Sequence, residues 1–254
     1  MKKQLNIILN GKGGVGKSFF AANFVQYLKD RQISYFAVDT DNENSTLNRF
    51  HPEAGFVDIG NGQEIDAIFL AMHLNNLVVV DGRAASTDIF LNYFSEIRIF
   101  ETLEMLNAAL TVILPVNHEA DSVEQLRLIT EALGNRCNYL VVKNQAHSEY
   151  FTIYDSSKTR SRVLGELAGR EIMMPKLYDW LVTSLNERNL TITDAIKDPE
   201  FWVMDRQRLK NWQGKFNEQL DGVRDILLPD GDPGKPASKS KKAGKPAEPP
   251  MPAS

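Results

Sequence analysis

Eight residues near the amino terminus have the types and the spacing needed to hold a phosphate. The segment 11–18, Gly-Lys-Gly-Gly-Val-Gly-Lys-Ser, fits the P-loop pattern G-x-x-x-x-G-K-[ST]. Its glycines allow the backbone N–H groups to turn inward around an anion. In such a loop the lysine, here Lys17, contacts the β- and γ-phosphates, and the hydroxyl, here Ser18, binds Mg²⁺. The segment therefore predicts a phosphate site with an associated Mg²⁺.

The sequence on either side of this loop has the order that such a site requires. Residues 4–9 are mostly apolar and predict a strand, and residues 17–30 have a helical pattern. The helix points the positive end of its dipole at the loop. A glycine-rich turn that only caps a helix is the alternative, but it gives no reason for Lys17 and Ser18.

The rest of the chain alternates between strand and helix patterns. Strands are predicted at 4–9, 33–39, 77–81, 110–116, 138–142 and 172–175. Helices are predicted at 17–30, 63–73, 87–95, 101–108, 119–133, 157–169, 177–188, 191–197 and 200–223, and residues 40–62 are predicted to be mostly loop. This alternation predicts an α/β fold of P-loop NTPase type, with a doubly wound, mainly parallel sheet and helices on both faces.

Composition limits the class of protein. The chain has 254 residues and a net charge of −4, so the chain as a whole is not a basic nucleic-acid binder, while local basic patches remain open. Its one cysteine, Cys137, excludes an internal disulfide and suits the reducing cytoplasm, where we expect the protein to be. The four histidines show no spacing typical of metal ligands.

The composition changes at Pro229. Residues 1–228 are predicted to form the P-loop domain, and residues 229–254, rich in Pro, Lys and Ala, are predicted to be disordered. The segment 229–254 carries a net charge of +2, which leaves −6 on residues 1–228. Contact of this segment with DNA or acidic lipid and a merely solvated appendage are both open, and the second is the commoner case.

Three aspartates follow predicted strands. Asp39 and Asp41 come at the end of the second strand, and Asp81 ends the apolar strand 77–81. Ligands in parallel sheets bind at the carboxyl ends of strands, so these acids should face the phosphate site. We assign Asp41 to orienting or deprotonating water, Asp39 to the surroundings of Lys17 and Mg²⁺, and Asp81 to a Mg²⁺-bound water. The alternative is that these are ordinary strand-end carboxylates, with Asp41 capping a turn.

Lys12 adds a second lysine inside the loop, and the segment 11–18 resembles the deviant Walker A loop of the ParA/MinD/nitrogenase-iron-protein group of ATPases. The resemblance implies that Lys12 reaches across a nucleotide-sandwich homodimer to the partner's phosphates. It also supports Asp41, the second acid of a D-x-D, as the hydrolysis residue. It implies that Asn144 contacts the base and that Pro175 begins the loop on the base's other side.

The expected site follows from the motif and the resemblance together. The cofactors are ATP and Mg²⁺. Residues expected to bind the nucleotide are Gly11, Lys12, Gly13, Gly14, Val15, Gly16, Lys17, Ser18, Phe19, Asn144 and Pro175. Residues expected to act in catalysis are Asp41, Lys12 and Lys17, and those expected around the metal are Ser18, Asp39 and Asp81.

Dispersed segments also resemble the TraL/StbB branch of plasmid-encoded P-loop proteins. Besides the loop, these are the segments 39–48, 62–66, 81–82 and 205–210. The resemblance implies a role in plasmid conjugation, mobilisation or stable inheritance, with a plasmid-encoded protein or DNA complex as partner and non-specific DNA as a further one. Many ParA/MinD proteins have prolines after the acid equivalent to Asp81, but this chain has none. The next residue but one, Arg83, reads equally well as a phosphate contact or a surface charge.

Two other functions remain open. The protein could be a binding module that ATP gates without hydrolysis, or a metabolic P-loop ligase or small-molecule kinase, against which Lys12 argues. The last helix has an apolar stripe at Leu209, Trp212, Phe216 and Leu220. Its flanking charges are of both signs, which favours docking on the domain over binding to a membrane.

Overall fold

The structure, a computed structural model, describes residues 2–42 and 44–230. Within these residues the chain forms one sheet of seven strands in the order β3-β2-β4-β1-β5-β6-β7. The strands are β1 (Lys3–Ile8), β2 (Phe36–Asp39), β3 (Gly55–Phe56), β4 (Leu77–Asp81), β5 (Ala108–Val116), β6 (Asn138–Asn144) and β7 (Arg170–Met174). Every neighbouring pair is parallel, which confirms the predicted parallel α/β fold.

Helices cover both faces of the sheet, as a doubly wound fold requires. On one face the helices are α3 (Gly62–Leu74), α4 (Thr87–Glu96), α5 (Ile99–Met105), α6 (Ala120–Leu133), α7 (Thr152–Asp155) and α8 (Lys158–Gly165). On the other face they are α1 (Lys17–Asp30), α2 (Thr46–Phe50), α9 (Asp179–Arg188), α10 (Ile192–Lys197), α11 (Val203–Asp221) and α12 (Arg224–Leu227).

The central strand β1 shows why two separate cores form. Side chains alternate between the faces of a strand, so Leu5 and Ile7 enter the core under α3 to α8, whereas Ile8 enters the core under α1 and α11. Asn6 is fully buried on the second face, where its Nδ2 donates to Leu227 O in α12 at 2.8 Å. This hydrogen bond attaches the last described helix to the middle of the sheet.

Several predicted bounds were wrong where tertiary contacts decide the structure. The predicted loop 40–62 contains α2 and the two-residue strand β3, which is held by pairing of Val38 with Gly55. Strand β2 begins at Phe36 rather than at residue 33. The predicted helix 101–108 ends at Met105, because Asn107 adopts a left-handed conformation with φ 50° and the chain enters β5 at Ala108.

The carboxyl-terminal part packs on the sheet. The stripe Leu209, Trp212, Phe216 and Leu220 of α11 is buried in the core, as its mixed flanking charges favoured. Pro229 is also buried, and the N–H of Asp230 donates to Lys2 O at 3.3 Å, two residues beyond the predicted domain boundary. The rest of the predicted disordered segment, residues 231–254, lies outside the described residues. Among the described helices, none has the length and apolar character needed to cross a membrane.

Candidate functional site

The P-loop lies between β1 and α1 at the carboxyl edge of the sheet. Gly14 and Gly16 have φ values of 75° and 95°, which L side chains adopt only with strain. Gly16 is also the N-cap of α1, so the positive end of this helix faces the loop. Val15, fully buried between the two glycines, fixes the loop to the core. The backbone thus has the conformation of an anion-binding turn at a helix amino terminus.

Lys17 is almost fully buried under the loop. Its Nζ donates to Lys12 O at 3.0 Å, which links the two ends of the glycine-rich turn. Burial lowers the pKa of Lys17, while the Asp81 and Asp41 carboxylates oppose that shift. The ammonium group therefore lies at the glycine-rich turn and within electrostatic range of two acids, and its contact with phosphates stays a prediction.

Lys12 points away from Lys17 and pairs with acids of its own chain. Its Nζ lies 3.0 Å from Glu119 Oε2 and 3.3 Å from Asp121 Oδ2, at the start of α6. These two carboxylates, Glu119 first, raise the pKa of Lys12, so the side chain is a cation. The side chain keeps 32% of its surface exposed. The predicted contact with a partner's phosphates stays a prediction, since the structure holds one chain.

Asp39 and Asp81 are paired directly across strands β2 and β4. Asp81 is buried, and neither of its carboxylate oxygens has a hydrogen-bond partner of good geometry among the described residues. Burial raises the pKa of Asp81 to about 7, while the nearby Ser18 hydroxyl acts in the opposite direction. A buried carboxylate without donors, next to a hydroxyl, is a donor set that fits Mg²⁺. Ser18 and Asp81 thus have the chemistry required to hold the metal, directly or through its waters.

Asp39, by contrast, accepts hydrogen bonds from backbone N–H groups that follow it in the chain. Its Oδ1 accepts from the N–H of Asp41 at 2.9 Å, and its Oδ2 accepts from the N–H of Asn48 at 3.2 Å. Burial raises the pKa of Asp39, and these backbone donors oppose that effect. Because both oxygens already have donors, Asp39 is suited to fixing the segment 39–48. Its predicted role near the metal stays a prediction.

A cleft of about 630 Å³ opens above the loop. Its lining includes seven of the predicted residues, together with Gly82 to Ala84; the seven are Gly13, Gly14, Gly16, Lys17, Ser18, Phe19 and Asp41. Asp41 is half-buried there, on the side where the segment 39–48 leaves β2. In the described residues no group of three or more His, Cys, Asp or Glu side chains could hold a metal. Magnesium at this cleft would therefore depend on Ser18, Asp81, waters and phosphate oxygens.

Asn144 and Pro175 lie beside the loop rather than in the lining of the cleft. Asn144 is buried at the end of β6, where its Nδ2 donates to Val15 O at 3.0 Å and its Oδ1 accepts from the N–H of Ala146 at 3.0 Å. Pro175 O accepts from Trp212 Nε1 at 2.7 Å. The structure thus shows Asn144 supporting the P-loop backbone, and its contact with a base stays a prediction.

Sequence reasoning missed a second support for the loop, on the side of β5 and α6. Asn10 is fully buried; its Nδ2 donates to Pro115 O at 2.8 Å and its Oδ1 accepts from the N–H of Lys12 at 2.9 Å. Gln125 Oε1 accepts from the N–H of Gly11 at 3.2 Å and from Thr87 Oγ1 at 2.8 Å. A polar Asn between a strand and a P-loop was a usable signal for Asn10, whereas nothing in the sequence pattern marks Gln125.

The cleft also contains Arg49 and Asn186, which the sequence did not suggest. Arg49 of α2 donates to Asn186 Oδ1 of α9 at 2.8 Å. This bond joins α2 to α9, and both residues line the cleft. Arg49 was overlooked because α2 lies inside the segment that was predicted to be loop.

The segment after Asp81 is tightly constrained. A Cβ on Gly82 would lie 2.6 Å from Ile8 O, so only glycine fits. Ala85 has φ 56°, and its N–H donates to Gly11 O at 2.9 Å. A non-glycine residue in this region costs on the order of 1 kcal/mol and persists where the surrounding structure holds it. The hydrogen bond from Ala85 to Gly11 therefore joins this segment to the P-loop, and the residue that makes it has a strained backbone conformation.

Comparison with known proteins agrees with this site. The family model of the CobQ/CobB/MinD/ParA nucleotide binding domain matches residues 6–208. Protein MobD of Acidithiobacillus ferrooxidans is 28% identical over 229 residues, which cover 88% of this chain and 99% of MobD. Protein TraL of Escherichia coli is 24% identical over 239 residues, covering 87% of this chain and 98% of TraL.

A solved structure supports the fold. The septum site-determining protein MinD of Pyrococcus horikoshii OT3, in complex with Mg-ADP, superposes with a TM-score of 0.52 at 15% identity, covering 90% of this chain and 99% of that one. The parallel sheet, the P-loop geometry and the match over residues 6–208 together show that this chain belongs to the CobQ/CobB/MinD/ParA nucleotide-binding domain family.

Proposed function

We propose that the protein is a Mg²⁺-dependent ATPase that works as a molecular switch. In this proposal ATP favours a homodimer with the two nucleotides at its interface, and hydrolysis releases the dimer. The observation that carries the proposal is the pairing of a P-loop containing Lys12 and Lys17 with Asp81, whose buried oxygens have no hydrogen-bond partner in the described residues. The site thus offers cations for the phosphates and an acid suited to the metal.

Different residues of the site have different roles in the proposed reaction. The P-loop N–H groups and Lys17 bind the β- and γ-phosphates, and Ser18 and Asp81 hold the Mg²⁺, which neutralises phosphate charge when bound. Asp41 lines the cleft together with Lys17 and Ser18. We assign to Asp41 the orientation of the attacking water. Arg49 and Asn186, joined by their hydrogen bond, line the same cleft.

The biological process is inferred from the relatives. Matches to MobD and TraL that span nearly their whole lengths support a role in plasmid mobilisation, conjugation or stable inheritance. The switch would then act in the cytoplasm on a plasmid-encoded protein or a protein–DNA complex. The domain charge of −6 argues that its own surface is not the main DNA contact.

Steady-state phosphate release on wild type and Asp41→Ala tests the hydrolysis step. We expect Asp41→Ala to lower the rate by at least roughly tenfold, because removing a group that positions the nucleophile forfeits its rate contribution. ATP binding, measured with a fluorescent analogue, should change little, since Lys17 and Ser18 remain. Glu96→Ala, at an exposed acid on α4, is the matched control and should keep the wild-type rate.

The outcomes separate the proposal from the two alternatives. Equal phosphate release by wild type and Asp41→Ala would refute hydrolysis by this site and favour a module that ATP only gates. Turnover that requires a small carboxylate or hydroxyl compound would instead favour a ligase or kinase.

A further inference from the structure

A patch of exposed aromatic and aliphatic side chains lies where α9 and α11 begin. Two of the three tryptophans of the chain, Trp180 and Trp202, are 52% and 63% exposed. We call this surface the aromatic patch, and it consists of Tyr178, Trp180, Trp202, Val203, Met204 and Arg208. Large apolar side chains are commonly exposed singly, whereas a cluster of them marks an interaction site.

The contacts within the patch show that it is continuous. The rings of Tyr178 and Trp180 stack with centroids 4.3 Å apart. The guanidinium carbon of Arg208 lies 6.0 Å from the Tyr178 ring centroid and 5.9 Å from that of Trp202. Arg208 therefore links the stacked pair to Trp202. Trp, Tyr and Arg are the residue types that contribute most to binding at protein interfaces.

The end of the chain has the chemistry that such a surface binds. Residues 231–254 lie outside the described residues, and their sequence contains Pro246-Ala-Glu-Pro249-Pro250-Met-Pro252. Segments of the P-x-x-P type favour the polyproline II conformation, which fits grooves lined by aromatic rings at little entropic cost. We propose that the segment 246–252 binds the aromatic patch of its own chain.

The chain is long enough for this contact. Asp230 is bonded to Lys2 beside the start of β1, whereas the patch follows β7 at the other edge of the strands. Crossing the sheet along β1 takes about 20 Å, and three strand spacings from β1 to β7 add about 15 Å. Residues 231–245, extended at ~3.1 Å each, span roughly 46 Å. This span exceeds the distance to be crossed, so the segment 246–252 can reach the patch while the folded domain keeps its structure.

The net charge of +2 on the segment 229–254 attracts it to the rest of the chain, which carries −6, and tethering favours the contact itself. Tethering at this length gives an effective concentration on the order of 1 mM, so a segment with a dissociation constant near that value already occupies the patch half of the time. The proposal goes beyond the proposed switch, because none of the residues of the aromatic patch lines the cleft above the P-loop.

Acrylamide quenching of tryptophan fluorescence reads the patch directly in the full chain. The third tryptophan, Trp212, is only 4% exposed, so quenching reports on Trp180 and Trp202. We compare wild type with a variant carrying Pro246→Ala, Pro249→Ala, Pro250→Ala and Pro252→Ala. If the segment covers the rings, the variant should show a quenching constant larger by roughly a factor of two. The matched control, Pro233→Ala with Pro236→Ala, should behave like wild type.

Two further measurements identify which segment covers the aromatic patch. A peptide of residues 243–254, added to the four-proline variant at ~1 mM, should lower its quenching toward the wild-type value. The protection of wild type should not change on dilution if the contact is within one chain. Equal quenching of wild type and the four-proline variant overturns the proposal. Protection that disappears on dilution also overturns it, because the occupant is then the end of a second copy.

Discussion

Gly16 meets two separate constraints at a single position. Its φ of 95° disfavours any side chain, and an added Cβ would lie 2.3 Å from Asn144 Nδ2. Asn144 is held in place by its bonds to Val15 O and the N–H of Ala146, so it has little room to retreat. The P-loop pattern predicted a glycine here for its φ, but the contact with Asn144 depends on the packing of β6 and is not visible in the sequence.

Gly16→Ala should therefore lower the free energy of unfolding by about 2–3 kcal/mol, adding a steric conflict to the conformational strain. Gly134→Ala is the control, because Gly134 has φ 63° but nothing within 4 Å of an added Cβ. That variant should lose only about 1 kcal/mol. Urea denaturation measures both, and equal losses would show that Asn144 yields without cost.

The two strand-end aspartates show that the position of such an acid can be predicted from sequence, whereas its hydrogen-bond partners cannot. Asp39 and Asp81 both end a strand, and the structure pairs them directly across β2 and β4. Their surroundings differ, because Asp39 accepts two backbone N–H groups whereas Asp81 accepts none that the structure describes. That difference is set by the path of the segment 40–48, which no local pattern specifies.

At the scale of elements, long apolar strands were predicted well and short elements were not. β4 is buried at every position, and its run of four apolar residues before Asp81 identified it directly. By contrast, α2 and β3 are short and lie in a stretch rich in Asn, Asp and Gly. Their stability comes from tertiary contacts, including buried His51, whose Nε2 lies 2.9 Å from Ala22 O of α1.

His51, at the end of α2, makes the stability of the fold depend on pH. Burial lowers the pKa of His51; the bond to Ala22 O and the nearby Glu53 and Asp194 oppose that shift, and Lys29 adds to it. As pH falls below about 6.5, the unfolded chain gains the proton before the folded protein does, so stability decreases.

Between pH 7 and pH 5 the free energy of unfolding should fall by on the order of 1 kcal/mol from this histidine. His51→Gln should reduce that pH-dependent loss, even if it is less stable at pH 7. His147→Gln, at an exposed histidine, should keep the wild-type pH profile in denaturant titrations. An unchanged profile in His51→Gln would show that the histidine is not the titrating group.

At the scale of the whole molecule, the sheet places every part of the site on one edge. The P-loop follows β1, the acids end β2 and β4, and Asn144 ends β6. The neighbour on one side is α6, which supports the loop through Gln125 and holds Lys12 through Glu119 and Asp121. Solvent screens these ion pairs at the surface, so they do not prevent Lys12 from exchanging them for a partner's phosphates.

Light scattering after size-exclusion chromatography tests the switch most directly. Wild type should have the mass of one chain with ADP and of two chains with ATP and Mg²⁺. Lys12→Ala should stay at one chain under both conditions, because the cation that reaches the partner is missing. Lys158→Ala, at an exposed lysine on α8, is the control and should dimerise like wild type. A wild-type protein that binds ATP but keeps the mass of one chain would contradict the account.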